Sequence, residues 1–273
     1  MANLITPTEY YNKICNRIAV EIAKFTPQLF SVKSHKSTLP PSADSSSILL
    51  TVAERFFLIT TGHTVHNVDL SCLGLMIGND FYTIGGQLRY FEPNELDNCD
   101  PNKLDMAVFE LDSDIVNVIS VKYQFLQWNK IGINHSSLTT SFYLIFGYPE
   151  QKTRKWFPTK QILPSPLVLR TVGMPQEYYA KEGINHGKTI VTIADQKRVG
   201  RSSTKEIEQL PELGGISGCG VWNIFNLLDD KPQFELVSIL TGENAEKTVL
   251  YSSKVDNLKK ILTSQFNIAI PME

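Results

Sequence analysis

Gly214-Gly215-Ile216-Ser217-Gly218-Cys219-Gly220 places a serine among small residues, directly ahead of the apolar pair Val221-Trp222. Glycines let the backbone turn sharply and approach a substrate carbonyl. They also free N–H groups to face an oxygen that gains charge. That context suits a nucleophile, although a Gly-Ser run by itself reads as a loop. Two upstream segments give it weight.

The first is Phe56-Phe57-Leu58-Ile59-Thr60-Thr61-Gly62-His63. A strongly apolar strand runs into Thr-x-x-His, so a histidine stands at the rim of a rigid core, where a general base is held. The second is Leu104-Asp105-Met106-Ala107-Val108-Phe109-Glu110-Leu111. Asp105 begins a strand that is otherwise mostly apolar. A carboxylate there is partly buried and needs a partner, because an unpaired buried charge costs about 3–5 kcal/mol. An imidazole N–H would serve. The chain order is His63, Asp105, Ser217.

Together these segments resemble the chymotrypsin/trypsin-like serine peptidases, and a bacterial-type intracellular member in particular. That family shows hydrophobic-Thr-x-x-His, Asp-hydrophobic-Ala-hydrophobic and Gly-x-Ser-Gly in this order, whereas other serine hydrolases order the same three residues differently. Leu144–Pro149 is similar to a strand and turn of bacterial members. Leu236–Ile239 is similar to the family strand that lines the primary specificity pocket, and Leu250–Val255 to the stretch before its C-terminal helix. The resemblance implies His63, Asp105 and Ser217 as catalytic residues. The N–H groups of Gly215 and Ser217 would form the oxyanion hole. Pro211, Glu212, Ser238 and Ile239 would line the substrate pocket, with no metal and no cofactor.

The implied fold is all-β: two six-stranded antiparallel β-barrels with an added N-terminal helix and a C-terminal helix. The expected divisions are 1–27 for the N-terminal helix, 45–135 for the first barrel, 136–254 for the second and 255–263 for the last helix. His63 and Asp105 come from the first barrel and Ser217 from the second. The family pattern is broken at Thr64, where secreted members carry a disulfide cysteine. Ile216 stands where many members place an aspartate that pairs with a newly cut N-terminus, so activation by such cleavage is not expected. Cys219 and Gly220 replace a glycine and a proline.

Composition sets bounds. The 273 residues are 42% hydrophobic and 20% charged, a balance that suits a globular chain with a sizeable core. The net charge of −2 argues against a nucleic-acid partner. No apolar run approaches the roughly 18 residues of a membrane span. Cys15, Cys72, Cys99 and Cys219 form neither a C-x-x-C pair nor a disulfide framework, and no secretory signal is visible. A reducing, cytoplasmic setting is expected.

Thr6-Pro7-Thr8-Glu9 reads as a capping box, followed by Tyr11, Ile14, Ile18 and Ile22 at helical spacing. This helix is expected to pack on a barrel; docking of a regulatory partner is the sharper alternative. Residues 37–47 read as a Ser/Pro-rich linker. Short apolar runs separated by turn signals follow, and Val255–Leu262 closes as a helix.

Two rival readings remain at this point. One is a non-catalytic peptide-binding module on the same fold. The other is a metal site at His63, His66 and Asp69, set on one helical face by their spacing. It lacks the glutamate that follows the first histidine in zinc peptidases. Cys219 is expected to be a buried thiol, and the basic run Lys197–Arg201 a solvated face. The partner expected overall is a protein or peptide substrate.

Overall fold

The computed structural model describes residues 7–34, 39–66, 68–90, 102, 104–137, 141–156, 161–194, 212–227, 229 and 231–270. Thr6, Cys99, Pro211 and the run Lys197–Arg201 lie outside them. The chain opens with helix α1 (Pro7–Ala23) and strands β1 (Gln28–Ser31), β2 (Ser42–Ser46), β3 (Ile48–Val52) and β4 (Arg55–Thr60). The short helix α2 (Gly62–His66) precedes β5 (Leu73–Ile77), β6 (Asp80–Thr83), β7 (Gly86–Tyr90) and β8 (Ala107–Leu111). Helix α3 (Ser113–Ser120) and β9 (Leu126–Gln127) end the first half. The second half holds β10 (Phe142–Gly147), β11 (Arg154–Trp156), β12 (Gln161–Leu163), β13 (Leu167–Val172) and helix α4 (Gln176–Lys181). Strands β14 (Thr189–Ile193), β15 (Gly220–Phe225), β16 (Gln233–Glu243) and β17 (Val249–Lys254) lead to helix α5 (Val255–Gln265).

The second half forms a six-stranded antiparallel sheet, β13-β10-β15-β16-β17-β14, and a separate antiparallel pair, β11-β12. The first half splits its ladders into β2-β1-β5-β6 and β7-β8-β4-β3-β9. The chain crosses between these two sheets at Ser47, through α2 between β4 and β5, and at Ile84-Gly85, just ahead of Gly86 at φ +119°. Alternating burial drives the strands together: Leu49 and Leu58 pack in one apolar cluster with Leu75 and Phe109, while Leu50 and Phe57 join another. That second cluster joins the halves, since it also holds Leu144, Trp222 and Ile239.

Both terminal helices feed the same cluster. Ile14, Ile18 and Ile22 of α1 and Leu258, Ile261 and Leu262 of α5 are buried in it, in the spacing of one helical face. Tyr11, read as part of that face, is 39% exposed instead. Arg55 fixes α5's end to the first half: it grips Glu110 with two nitrogens at 2.5 and 2.6 Å and donates to the Phe266 carbonyl at 2.7 Å.

The serine-rich stretch 37–47 is not simply a linker, because Ser42–Ser46 forms β2 between β1 and the solvent edge. Ser45, Ser46 and Ser47 are buried: Ser47 Oγ donates to the Pro27 carbonyl at 3.1 Å, and Ser46 Oγ donates to the Gly215 carbonyl at 3.2 Å. Helix α3 is not among the expected elements, although Ile115, Val116 and Ile119 stand on one helical face. Its β-branched run favours a strand locally, and burial of Ile115, Val116 and Ile119 against the first-half core overrides that preference.

The connection between halves is pinned to β16. Gly132 N–H donates to the Leu236 carbonyl at 2.8 Å, and His135 reaches the buried Tyr143 hydroxyl at 2.8 Å and Glu235 at 3.5 Å. His135, aided by Asn223, holds the Glu235 carboxyl below its ordinary range, against the burial that opposes ionisation. A lowered carboxyl stabilises the fold above its unfolded pKa, and that contribution is lost as pH falls through the folded value. Glu235→Gln should therefore be less stable than the wild type above about pH 5. The difference should shrink as pH falls below the free-carboxylate range, as read by denaturant melts across pH.

Candidate active site

Strand β4 fixes the first element. Leu58, Ile59 and Thr60 have no solvent exposure, so the chain leaves the core at a defined point, turns through Thr61 and enters α2 at Gly62. His63 emerges there with its side chain 39% exposed. Asp105 lies just ahead of β8, which pairs antiparallel with β4 and matches Thr60 to Ala107. This register brings the carboxylate to the histidine. His63 Nδ1 donates to Asp105 Oδ2 at 2.6 Å, and the His63 backbone N–H donates to Asp105 Oδ1 at 2.9 Å. Two donors on one carboxylate fix both the position and the plane of the imidazole. With the proton on Nδ1, Nε2 carries the lone pair. Nε2 lies 3.4 Å from the Thr61 hydroxyl, which pairs in turn with Thr64 Oγ1 at 2.8 Å.

The Ser217 turn is built from two left-handed glycines, Gly215 at φ +85° and Gly218 at φ +83°. A Cβ on Gly218 would stand 2.2 Å from the Ser46 carbonyl oxygen and 2.4 Å from Thr60 Oγ1, so only glycine fits. This close approach puts the turn against the end of β4, within a few residues of His63. Ser46 N–H donates to the Ser217 carbonyl at 2.8 Å, and Thr60 Oγ1 donates to the Ser46 carbonyl at 3.0 Å. On the other side, Gly218 N–H donates to Leu240 at 2.8 Å, and Leu240 N–H returns a bond to Cys219 at 2.8 Å.

The turn's own donors divide in two groups. Ile216, Gly218 and Cys219 N–H groups bond to Leu213, Leu240 and Ile216 carbonyls. The N–H groups of Gly215 and Ser217 find no acceptor among the described residues. Ile216 is 3% exposed in the second-half core, so apolar burial holds the turn. Cys219 is fully buried, and burial pushes its thiol pKa well up, which keeps it protonated and inert.

The other expected positions fall differently. Ser238 and Ile239 are fully buried: Ser238 Oγ pairs with Ser252 Oγ at 2.8 Å, and Ile239 joins the apolar cluster between the halves. They do not face solvent. The register places Leu240 on the turn, so the partly exposed Thr241, Gly242 and Glu243 are the β16 residues that continue past it. Glu212 is exposed and accepts from Gln151 Nε2 at 2.6 Å, and Pro211 is outside the described residues. His63, His66 and Asp69 do not converge: His63 faces Asp105, while Asp69 Oδ1 accepts from Ser71 N–H and caps the 3-10 turn Leu70–Cys72. No group of three metal-ligating side chains occurs among the described residues.

A two-sided β architecture with a His–Asp pair at one strand end and a glycine-framed serine turn against it is the chymotrypsin-like serine protease fold. Among solved structures, the chain is similar to mouse neuropsin, a serine protease expressed in the limbic system of the brain. The match has a TM-score of 0.53 at 10% identity and covers 89% of this chain and 94% of that one. No protein-family profile matches the sequence, and no curated protein matches it.

Gly218→Ala tests the packing of the turn. It adds left-handed strain and a clash with backbone, which together cost about 2–4 kcal/mol. A melt should show that loss.

Proposed function

We propose that the chain is a serine endopeptidase that cleaves protein substrates through an acyl-enzyme. The observation that carries this reading is the His63–Asp105 pair at the end of β4, with the Ser217 turn packed against the same strand end. In this mechanism His63 Nε2 takes the proton of Ser217 Oγ as the hydroxyl attacks the scissile carbonyl carbon. Asp105 holds the Nδ1–H tautomer and stabilises the imidazolium that forms. The Gly215 and Ser217 N–H groups receive the oxyanion of the tetrahedral intermediate. His63 then passes its proton to the leaving amine. Water, activated by the same base, releases the acid and restores Ser217.

The absence of three assembled metal ligands among the described residues leaves the His63–His66–Asp69 reading without geometric support. A binding module on this fold would need no His–Asp pair, and no observation favours it over catalysis. The proposed setting is a reducing one such as the cytoplasm. It rests on the free cysteines Cys15, Cys72 and Cys219. Among the described residues no helix is long and apolar enough to cross a membrane. Control by a partner, if it acts through α1, uses the outer face that carries the exposed Val20, since the inner face is buried.

Asp105→Asn should leave the fold intact and lower kcat by ~10⁴, because the wrong tautomer then faces Ser217. Hydrolysis of a quenched peptide library, followed at pH 8, reads this. Equal cleavage by wild type and Asp105→Asn would remove the triad from the mechanism.

A further inference from the structure

Beside the Ser217 turn the surface sinks into a pocket of about 440 Å³ lined by Ala43, Glu150, Gln151, Thr153, Glu212 and Gly214. Backbone contacts fix its place. The Glu150 N–H donates to the Gly214 carbonyl at 2.7 Å, and Ala43 shares β2 with Ser46, whose N–H holds the Ser217 carbonyl. The walls nearest the turn are small. Nothing stands within 4 Å of where a Cβ on Gly214 would be.

The lining is acidic and directional. Gln151 Nε2 donates to Glu212 Oε2 at 2.6 Å, which draws this carboxylate toward the β10–β11 connection. Glu150 supplies a second carboxyl, and no lysine or arginine lines the pocket. The field extends to Glu243 on β16, whose carboxyl is raised first by burial and further by Glu212, with Lys247 opposing. A cation entering here meets two carboxylates that lack a cationic partner in the pocket wall.

Resting on the peptidase reading above, we propose that this pocket is the subsite for the side chain of the residue that follows the scissile bond, and that it takes lysine or arginine. The leaving amine receives its proton from His63, which belongs to the same half as β2. The chain beyond the cut therefore runs past Ala43. Ala43 and Gly214 leave room for a long aliphatic stem, and the carboxylates of Glu150 and Glu212 meet its charged head.

The test uses the full chain and quenched peptides that differ only in the residue after the cut: Lys, Arg, Ala or Glu. The expected kcat/KM for Lys or Arg is at least ~10-fold that for Glu, a preference that weakens with added salt. In Glu150→Gln/Glu212→Gln the ratio should fall to about 2 or less. In Glu177→Gln, an exposed acid on α4 away from the pocket, the ratio should persist. Glu212→Lys should shift the preference toward Glu. A wild-type ratio near one, or an unchanged ratio in the double variant, overturns the subsite while the peptidase stands. Failure of the wild type to cut any peptide overturns the peptidase reading itself and the subsite with it.

Discussion

One residue, Ser46, joins the two halves at the point where chemistry is proposed. Its N–H holds the Ser217 carbonyl, its hydroxyl donates to the Gly215 carbonyl and receives the Tyr148 N–H at 2.9 Å, and its carbonyl accepts from Thr60. Ser46 is itself fully buried. In that low-dielectric setting each bond is stronger than in water, and each lost partner costs the full desolvation of a polar group. The His63 side and the Ser217 side therefore meet through a fixed polar junction rather than across an open gap.

The turn is held by three different forces at once. Left-handed glycines permit its path, the Ile216 side chain anchors it in the second-half core, and the Leu240 ladder ties it to β16. None of these three is an ion pair. Burial of Ile216 is also insensitive to salt, unlike a surface ion pair. In the proposed mechanism such a turn would hold the Gly215 and Ser217 N–H groups in position before substrate arrives, which is the form of preorganisation that electrostatic stabilisation requires.

Much of the strand framework was legible because its signals are local. Ile48–Val52, Leu73–Ile77, Leu167–Val172 and Thr189–Ile193 are apolar or alternating runs bounded by turn residues, and each is a strand over those residues. The His63–Asp105 contact was legible as well, since each residue stands at the rim of such a run. What escaped depends on partners far away in sequence. β2 hides in a serine-rich stretch because Ser46 and the adjoining Ser47 are satisfied by Gly215, Tyr148 and Pro27, which no window around residue 45 contains. Ser238 and Ile239 were expected to line the cleft. The residue that meets the turn is Leu240, and the bulge between Leu240 and Gly242 that resets the register cannot be read from alternation. Glu212 was read toward the primary pocket, and its bond to Gln151 turns it toward the β10–β11 connection.

The most direct measurement of the central claim is fluorophosphonate labelling of wild type, Ser217→Ala and His63→Ala, followed by peptide mapping. An assembled nucleophile and base predict one adduct, on Ser217, that is lost in Ser217→Ala and nearly lost in His63→Ala. A folded wild-type protein that takes no label, or takes it equally without His63, would contradict the account.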